Sequence, residues 1–467
     1  MERMEGVDAG YLYMETPTMH MHTLKVALID SDEPFDFDQF TQRLLTQLHS
    51  LPPLLRRALP VPLALNHPVW VTDRDIDPAR HLFRDRVRGP GGMAELEELI
   101  GRIASTPLDR GRPLWEMHFC EGLADGRIAV VGKMHHALAD GAAANALLAN
   151  ITDVAASAAP PREQGAAETP PSLERVPSRL RQVGVALLDS IRQIATLPPL
   201  LRRTAAALAA LVRLKRRSTV TVPRPVLDVP RVSFNGALDA RRIFATCQLP
   251  LAEIKVVRRA HDVSVNDVVL AVVAGALHSW MDGRGERPTK SLVAGVPVAT
   301  DELGAPPRLG GNRVSNLFTS LATDLDDPHE RLHAISRTTA ESKLVQRTLG
   351  MDMLTDWVQF SPPALFTAAM RVYSRTRAAS LHPAPFNVIV SNVPGPREPV
   401  TISGTRLSDL FSVGPILEGI GLNVTVWSYD GQMNFSLLSC PTLIDDLGPL
   451  VAQLGPALDE LLTLEGC

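Results

Sequence analysis

The sequence predicts a mixed α/β protein built from two domains. Its 467 residues exceed what one ordinary hydrophobic core accommodates. Short apolar runs typical of strands and longer segments with helical spacing occur on both sides of a stretch of different composition. We therefore place the first domain at residues 1–155, a connecting segment at 156–231 and the second domain at 232–467.

Composition excludes several classes of protein. The 47 basic and 51 acidic residues nearly balance, which argues against nucleic acid as the main partner. Hydrophobic residues make up 45%, as in soluble globular proteins, and neither a signal peptide nor a run of about 18 apolar residues is found. The four cysteines are Cys120, Cys247, Cys440 and Cys467. Their scatter predicts neither a metal site nor a disulfide framework, and favours a reducing cytoplasm.

The first domain shows alternating strand and helix patterns. Strands are predicted at 23–29, 115–120 and 127–133, and helices at 37–48, 95–104 and 142–151. Pro113-Leu114-Trp115 indicates a turn into a strand, and we expect Trp115 to pack in the core, as large aromatic side chains usually do.

The connecting segment has two parts. Residues 155–171 are rich in Ala, Pro and Glu, which is typical of a linker. Residues 178–215 carry leucine and isoleucine at helical spacing among arginines, and Pro198-Pro199 should divide them into two helices. Such a basic amphipathic pair can lie on an anionic membrane or lipid surface, or can pack between domains.

The second domain repeats the alternation. Strands are predicted at 242–249, 292–296 (ending at Pro297), 386–393, 421–428 and 432–438, the last two joined by Asp430-Gly431. Helices are predicted at 251–259, 264–280, 329–344, 351–370 (interrupted at Pro362-Pro363) and 443–462 (broken at Gly448-Pro449 and Gly455-Pro456).

The most informative segment is Lys133-Met134-His135-His136-Ala137-Leu138-Ala139-Asp140-Gly141, between a predicted strand and a predicted helix. The positive end of a helix disfavours imidazolium, so a histidine here would stay neutral and able to accept a proton. Asp140 can hold the turn, and Gly141 lets another group approach closely. A surface or capping pair is the ordinary alternative. Adjacent strand histidines face opposite sides, which does not suit a metal, so we favour a catalytic site.

Three further segments carry polar side chains at strand or helix ends. Asn266 follows Ser264 at a helix start, where capping alone would explain it. Gly310 to Ser315 can bring the backbone close to a ligand, or can form a simple turn between strands. Ser391 and Asn392 end a strand before Pro394-Gly395-Pro396, within reach of a cleft, or stabilise the turn.

These segments together resemble a known family. His135-His136-x-x-x-Asp140-Gly141 is similar to the signature of the CoA-dependent acyltransferase superfamily. The chain resembles, nearly end to end, the actinobacterial branch of the bacterial wax ester synthase/diacylglycerol acyltransferase family. The matching segments are Asp8-x-x-Tyr11-Leu12-x-x-Glu15, a Met-His pair at 19–22, Pro113-Leu114-Trp115, Asn266-Asp267, Gly311-Asn312-x-x-Ser315 and Ser391-Asn392-Val393-Pro394-Gly395-Pro396.

The resemblance implies two chloramphenicol acetyltransferase-like α/β domains with a tunnel between them. It implies that His136 is the general base, supported by His135, Asp140 and Gly141. Asn266 and Ser391 are then candidates for stabilising the oxyanion. Asn312, Ser315 and Asn392 are candidates for binding acyl-CoA, which would be a co-substrate, with no metal and no permanently bound cofactor.

The implied activity is transfer of an acyl group from acyl-CoA to the hydroxyl of diacylglycerol, giving triacylglycerol, or to fatty alcohols, giving wax esters. Lipid substrates favour a cytoplasmic protein associated peripherally with a membrane or lipid droplet. Two alternatives are a carrier-protein-dependent condensation enzyme of complex-lipid synthesis and a non-catalytic lipid-droplet or membrane-binding protein.

Overall fold

The structure is a computed structural model that describes residues 2–30, 35–73, 75–151, 178–218, 220–301, 306–350, 353–396, 398–402 and 404–463. The predicted linker at 155–171 and Cys467 lie outside these residues. Helices are α1 Gly6–Met14, α2 Phe37–Gln47, α3 Met93–Ala104, α4 Gly141–Ile151, α5 Arg179–Ala195, α6 Leu197–Lys215, α7 Leu251–Ala260, α8 Val265–Gly283, α9 Pro328–Leu349, α10 Met353–Val358, α11 Pro363–Arg375, α12 Gly448–Val451 and α13 Leu454–Thr463.

Strands in chain order are β1 Glu2–Arg3, β2 His22–Ile29, β3 Arg56–Leu59, β4 Val69–Thr72, β5 Leu82–Arg86, β6 Trp115–Glu121, β7 Ile128–His135, β8 Ile243–Pro250, β9 Val293–Ala299, β10 Val314–Ser320, β11 Val388–Pro394, β12 Thr401–Ile402, β13 Thr405–Val413, β14 Asn423–Tyr429 and β15 Gln432–Ser439. They form two six-stranded sheets and one of three strands. The mixed α/β architecture with two main sheets is the predicted fold class.

The first main sheet has the strand order β12-β13-β2-β7-β6-β5. Its central strands β2, β7 and β6 run antiparallel, and β5 lies parallel to β6. One face packs against apolar residues of α2 and α4, and the other against α3, so the sheet is buried on both faces. Trp115 is buried in this core and its indole N–H donates to the Leu54 carbonyl at 2.7 Å, as expected of a buried tryptophan.

The second main sheet has the order β10-β9-β11-β14-β15-β8. β11 lies near its centre, parallel to both β9 and β14. Helix α8 packs against this sheet and is buried along most of its length. Ser264 caps α8, since its side chain accepts from Asp267 N while the Asp267 carboxylate accepts from Ser264 N.

The two sheets do not follow the predicted division of the chain. Strands β12 and β13 fall in the range assigned to the second domain, yet β13 pairs with β2 in the first sheet. The pairing covers what would otherwise be an exposed strand edge, a position that proteins protect. No local pattern marks it, because the paired residues, from Leu407 with Ile29 to Val413 with Leu24, lie 378 to 389 positions apart.

Prolines act where backbone geometry tolerates them. Pro198-Pro199 opens α6 directly after α5 ends, which confirms the predicted division into two helices. The predicted break near Gly455-Pro456 is also confirmed, because α12 ends at Val451 and α13 begins at Leu454 with Pro456 in its first turn. Strand β9 continues past Pro297, contrary to the prediction, because β11 pairs with β9 only near residues 294 and 295.

Helices α5 and α6 lie on the outside of the molecule. Ala186 and Leu200 are buried against protein, whereas Leu180, Ile191 and Ile194 are 87%, 65% and 64% exposed. Within the described residues no single helix has the length and apolar character for crossing a membrane. The pair α7–α8, bent by 105°, meets those criteria only when taken together, and α8 is a buried core helix.

Candidate active site

The His-His motif begins at the carboxyl end of β7, where the strand is held on both sides. His135 lies opposite His22 of β2 in the ladder, and its backbone N–H donates to the Leu114 carbonyl at 2.9 Å. The chain then leaves the sheet: His136 N–H donates to Met21 O at 2.7 Å. The imidazole of His136 is therefore presented from the end of a rigid central strand.

His135 supports the turn from inside. Its side chain is fully buried and its Nδ1 accepts the Ala137 N–H at 3.0 Å. Burial lowers the pKa of His135 despite the nearby Glu15 carboxylate, whose Oε2 lies 3.7 Å from Nε2. A neutral ring that accepts a backbone hydrogen bond has a structural part in this turn.

His136 is only partly buried and makes a two-way contact with Asn312 from the second half of the chain. The ring Nδ1 lies 3.0 Å from Asn312 Oδ1, and Asn312 Nδ2 donates to the carbonyl of His136 at 2.7 Å. Tyr11 of α1 stacks on the ring, with centroids 4.2 Å apart and planes inclined by 20°. Burial lowers the pKa of His136 to about 4. The ring is neutral at pH 7, as a general base requires.

Asp140 fixes the start of α4 and links it to the other half. Oδ1 accepts from Ala143 N at 2.9 Å, a helix N-cap, while Oδ2 accepts from Arg308 Nη2 and Arg313 N, both at 2.8 Å. Asp140 holds the turn as predicted, but the group hydrogen-bonded to the ring of His136 is Asn312.

Gly141 and Gly311 allow the His-His motif to lie close to the segments around β11 and before β10. A Cβ added at Gly141 would lie 3.3 Å from Val393 Cγ2, next to the end of β11. Gly311, at φ +77°, donates its N–H to Leu138 O at 2.7 Å and pairs with Ala139 in an isolated bridge. The predicted close approach therefore occurs, but the approaching groups belong to the protein.

The other predicted site residues divide into two sets. Asn312 lies at His136, whereas Ser315 is buried three residues further on, in β10. Ser391 and Asn392 lie near the end of β11, and Asn266 lies in the first turn of α8, each partly exposed. Among the described residues these four side chains have no hydrogen-bond partner, so none of them is hydrogen-bonded to His136.

The end of β11 nevertheless reaches the motif. Asn145 of α4 donates its amide to the Pro394 carbonyl at 2.8 Å, and Val393 packs against Gly141. The Ser-Asn-Val-Pro-Gly segment and the His-His motif, both singled out from the sequence, are therefore neighbours in space.

An apolar cavity lies in the core around the first sheet, beside the motif. It lies between this sheet and helices α2 and α4 and encloses about 70 Å³. Met134, two residues before His136, lies on its wall, as do Ala144 and Leu147 of α4. Its further lining residues include Lys25, Ala27, Phe40, Leu44, Leu54, Trp115, Met117, Val130 and Gly132. Its almost wholly apolar lining suits a hydrocarbon chain.

Two residues of this site were not predicted as site residues. Tyr11 and Asp8 belong to the N-terminal segment noted for its resemblance, without a role. Asp8 is buried and its Oδ1 accepts from Asn312 Nδ2 at 2.8 Å. The only signal was the spacing of Asp8, Tyr11, Leu12 and Glu15, which is compatible with one helix face but does not indicate what that face contacts.

Comparison with known proteins identifies related chains. Residues 4–269 match the family model for the wax ester synthase/diacylglycerol acyltransferase catalytic domain, and residues 310–462 match that for the WS/DGAT C-terminal domain. A Mycobacterium tuberculosis H37Rv protein with the provisional name diacylglycerol O-acyltransferase is 37% identical over 452 residues, covering 96% of this chain and 92% of that protein. Another from the same strain is 34% identical and covers 99% of this chain and 90% of that protein.

Solved structures show the same architecture. The wax ester synthase/diacylglycerol acyltransferase from Marinobacter aquaeolei VT8 is 26% identical, with a TM-score of 0.67 and coverage of 100% of both chains. The first condensation domain of the CDA synthetase is 16% identical, with a TM-score of 0.59 and coverage of 99% and 96%, a similarity of fold alone.

Proposed function

Because this chain belongs to the wax ester synthase/diacylglycerol acyltransferase family and is therefore an acyltransferase, we propose that His136 is the general base of its reaction. The acyl donor in this proposal is a long-chain acyl-CoA. The acceptor is the hydroxyl of diacylglycerol, giving triacylglycerol, or of a fatty alcohol, giving a wax ester. The observation that carries the proposal is a neutral imidazole whose Nδ1 is occupied by Asn312, which leaves Nε2 to accept a proton.

The reaction follows from one imidazole. His136 Nε2 removes the proton of the acceptor hydroxyl as its oxygen attacks the thioester carbonyl. The new C–O bond gives a tetrahedral oxyanion, for which Asn266 and Ser391 are the proposed hydrogen-bond donors. The C–S bond then breaks, and His136 returns the proton to sulfur, so the products are the ester and free CoA thiol. The sequence contains no GxSxG elbow for a serine nucleophile, and this scheme needs no acyl-enzyme.

The apolar cavity is the proposed place for the acyl chain. Its wall begins at Met134 on β7, the strand that ends in the motif, and continues along α4, the helix that follows the motif. A chain lying there would have its thioester end toward His136. For CoA itself, Ser315 and Asn392 remain the proposed contacts, whereas Asn312 already contacts the imidazole.

The exposed apolar side chains of α5 and α6 support a peripheral association with a membrane or lipid droplet. Leu180, Ile191 and Ile194 project from α5 among arginines, and Arg203 of α6 forms an ion pair with Asp356. The helices therefore pack on protein along one side and present an apolar, basic side outward. Co-sedimentation with anionic and with neutral vesicles tests this association, and equal pellets with and without vesicles would contradict it.

The activity is tested with purified protein, palmitoyl-CoA and three acceptors in competition: diacylglycerol, hexadecanol and monoacylglycerol. We expect free thiol to appear in step with triacylglycerol or wax ester in lipid chromatography. His136→Ala should lower the rate by about 10²–10⁴ because a general base contributes that much. His49→Ala, an exposed histidine, is the matched control and should match wild type.

Two outcomes would contradict the proposal. If the activity of His136→Ala lies within about threefold of wild type, His136 is not the general base, since even weak base catalysis exceeds that factor. No thiol release from acyl-CoA, with ester formed only from carrier-bound acyl groups, would favour a condensation enzyme instead.

A further inference from the structure

We infer that Asn312 and Asp8 are positioning residues that hold His136 in the tautomer with its proton on Nδ1, so that Nε2 carries the lone pair. This inference rests on the proposed role of His136 as the base. It deepens that role by naming two residues, 304 positions apart, that select which ring nitrogen is basic.

The first step concerns the orientation of the Asn312 amide. Its Nδ2 lies 2.8 Å from Asp8 Oδ1 and 2.7 Å from the His136 carbonyl oxygen. The His136 carbonyl can only accept, and only the NH₂ side of an amide can donate to it. Burial raises the pKa of Asp8 to about 7, and its carboxylate accepts from the same NH₂ when ionised. A flipped amide would set its oxygen against the carbonyl oxygen, so the His136 carbonyl alone requires the observed orientation.

The second step concerns the imidazole. With Nδ2 committed to Asp8 and the carbonyl, Asn312 Oδ1 is the atom that faces His136 Nδ1 at 3.0 Å. An amide oxygen accepts and does not donate, so Nδ1 must carry the proton. The neutral ring then has its lone pair on Nε2, and an acceptor hydroxyl must approach that side.

The third step concerns rigidity. Asp8 is buried, and Asn312 is 3% exposed. Tyr11, one turn after Asp8 on α1, stacks on the face of the ring. Helix α1 thus holds the base in two ways. Tyr11 stacks on the ring directly, and Asp8 holds Asn312, which is hydrogen-bonded to the ring. Together they limit rotation of the ring. A base already aligned loses less entropy in the reaction.

The experiment compares two changes at position 312. Asn312→Ala removes the side-chain acceptor of the Nδ1 proton and leaves the backbone carbonyl of His136 as its other partner. The double variant Asp8→Asn/Asn312→Asp keeps an acceptor at 312 and a donor at 8, and moves one carboxylate next to the ring. Asn316→Ala, at an exposed asparagine of the following strand β10, is the matched control. The readouts are kcat, KM for palmitoyl-CoA, the pH profile of kcat/KM and the thermal midpoint.

For Asn312→Ala we expect kcat to fall about 10–100-fold with KM for palmitoyl-CoA changed less than about threefold, as when an orienting partner of a histidine is lost. The double variant should recover part of that kcat. The acid limb of its kcat/KM profile should move up by about 1 pH unit, because a carboxylate next to the ring favours imidazolium. The neighbouring charges of Asp140, Arg308 and Arg313 are the same in all variants.

The inference is overturned if Asn312→Ala retains kcat within about threefold of wild type while His136→Ala is inactive. It is also overturned if the double variant leaves the acid limb in place, an outcome that can be read even where Asn312→Ala folds poorly. Loss of the proposed function itself looks different: His136→Ala would then be as active as wild type, whatever happens at position 312.

Discussion

The two strand ends that meet at the site differ in how their side chains are engaged. At the end of β7, the side chains of His135, His136 and Asp140 all have hydrogen-bond partners. At the end of β11, the side chains of Ser391 and Asn392 have none among the described residues. A base must be aligned before substrate arrives, whereas a donor for the oxyanion must be left available until charge develops. The difference indicates that the end of β7 supplies the base that acts on the acceptor hydroxyl. It also indicates that the end of β11 supplies donors for the oxyanion that forms when the hydroxyl attacks.

The largest expected effect breaks or supports the role given to β11. Ser391→Ala should lower kcat by about 10², the typical cost of one lost oxyanion donor, with an unchanged thermal midpoint. Asn266→Ala is measured alongside it. Ser50→Ala, on an exposed 3-10 turn, is the control. If neither variant changes kcat, neither Ser391 nor Asn266 stabilises the transition state. The contrast drawn between the ends of β7 and β11 then fails.

The next effect tests whether the end of β7 is fixed by the second half of the chain. Asp140→Ala removes the cap of α4 and the contacts to Arg308 and the Arg313 backbone. We expect a loss of about 2–3 kcal/mol in the free energy of unfolding, measured by urea titration.

Asp327→Ala is the matched control for this prediction, because Asp327 caps α9 and is exposed. It should cost only about 1 kcal/mol. Equal losses in the two variants would show that the link from Asp140 to Arg308 adds nothing to stability.

A smaller effect concerns the wall of β7 that leads to the motif. Gly132 lines the cavity, and a Cβ built there has Lys25 O at 3.9 Å as its nearest neighbour, so the Cβ fits and further side-chain atoms would take up cavity space. Gly132→Val should raise the decanoyl-CoA to palmitoyl-CoA ratio of kcat/KM by about tenfold, since one or two methylenes are discriminated to that degree. Gly283→Val, at an open position, is the control. An unchanged ratio would place the acyl chain elsewhere.

The smallest expected effect is an absence of pH dependence near neutrality. His136 must be deprotonated to act, and its pKa is lowered to about 4 by burial. In Asp8→Asn, which lacks the carboxyl whose pKa burial raises to about 7, kcat/KM should therefore be flat from about pH 6 to 8 and should fall only as the pH approaches 4. An acid limb of that variant centred near the ordinary histidine value of about 6.5 would mean that the ring of His136 is solvated in the working enzyme.

The lowered pKa of His136 also makes the free energy of unfolding depend on pH. The unfolded chain binds a proton to this histidine below about pH 6.5, whereas the folded chain does so only near pH 4. The contribution of the neutral ring is thus fully present above about pH 6.5 and is lost as the pH falls toward 4.

Local features of the site were predictable from the sequence. The strand, the turn with His135 and His136, and the helix after Asp140 follow from apolar runs, a polar insert and an alanine-rich segment. The break at Pro198-Pro199 likewise follows from ring geometry. The resemblance supplied the second histidine as the base.

Partners from distant parts of the chain were not predictable. Asn312 contacts His136 across 176 residues, and Asp8 contacts Asn312 across 304. Strand β13 has apolar residues at several positions, but periodicity does not tell which sheet a strand joins. Patterns in a sequence report burial and secondary structure, whereas pairing depends on topology.

The position of β13 has a consequence for biosynthesis. The ribosome makes β2 first, and residue 413, the end of β13, follows 384 residues later. At about 5–20 residues per second this is a delay of roughly 20 to 80 s. During that time β2 of the nascent chain has an unoccupied edge, a site for wrong pairing with other chains. Slow translation late in the message, or a chaperone bound early, should therefore change the yield of folded protein more than either would for a chain whose halves fold independently.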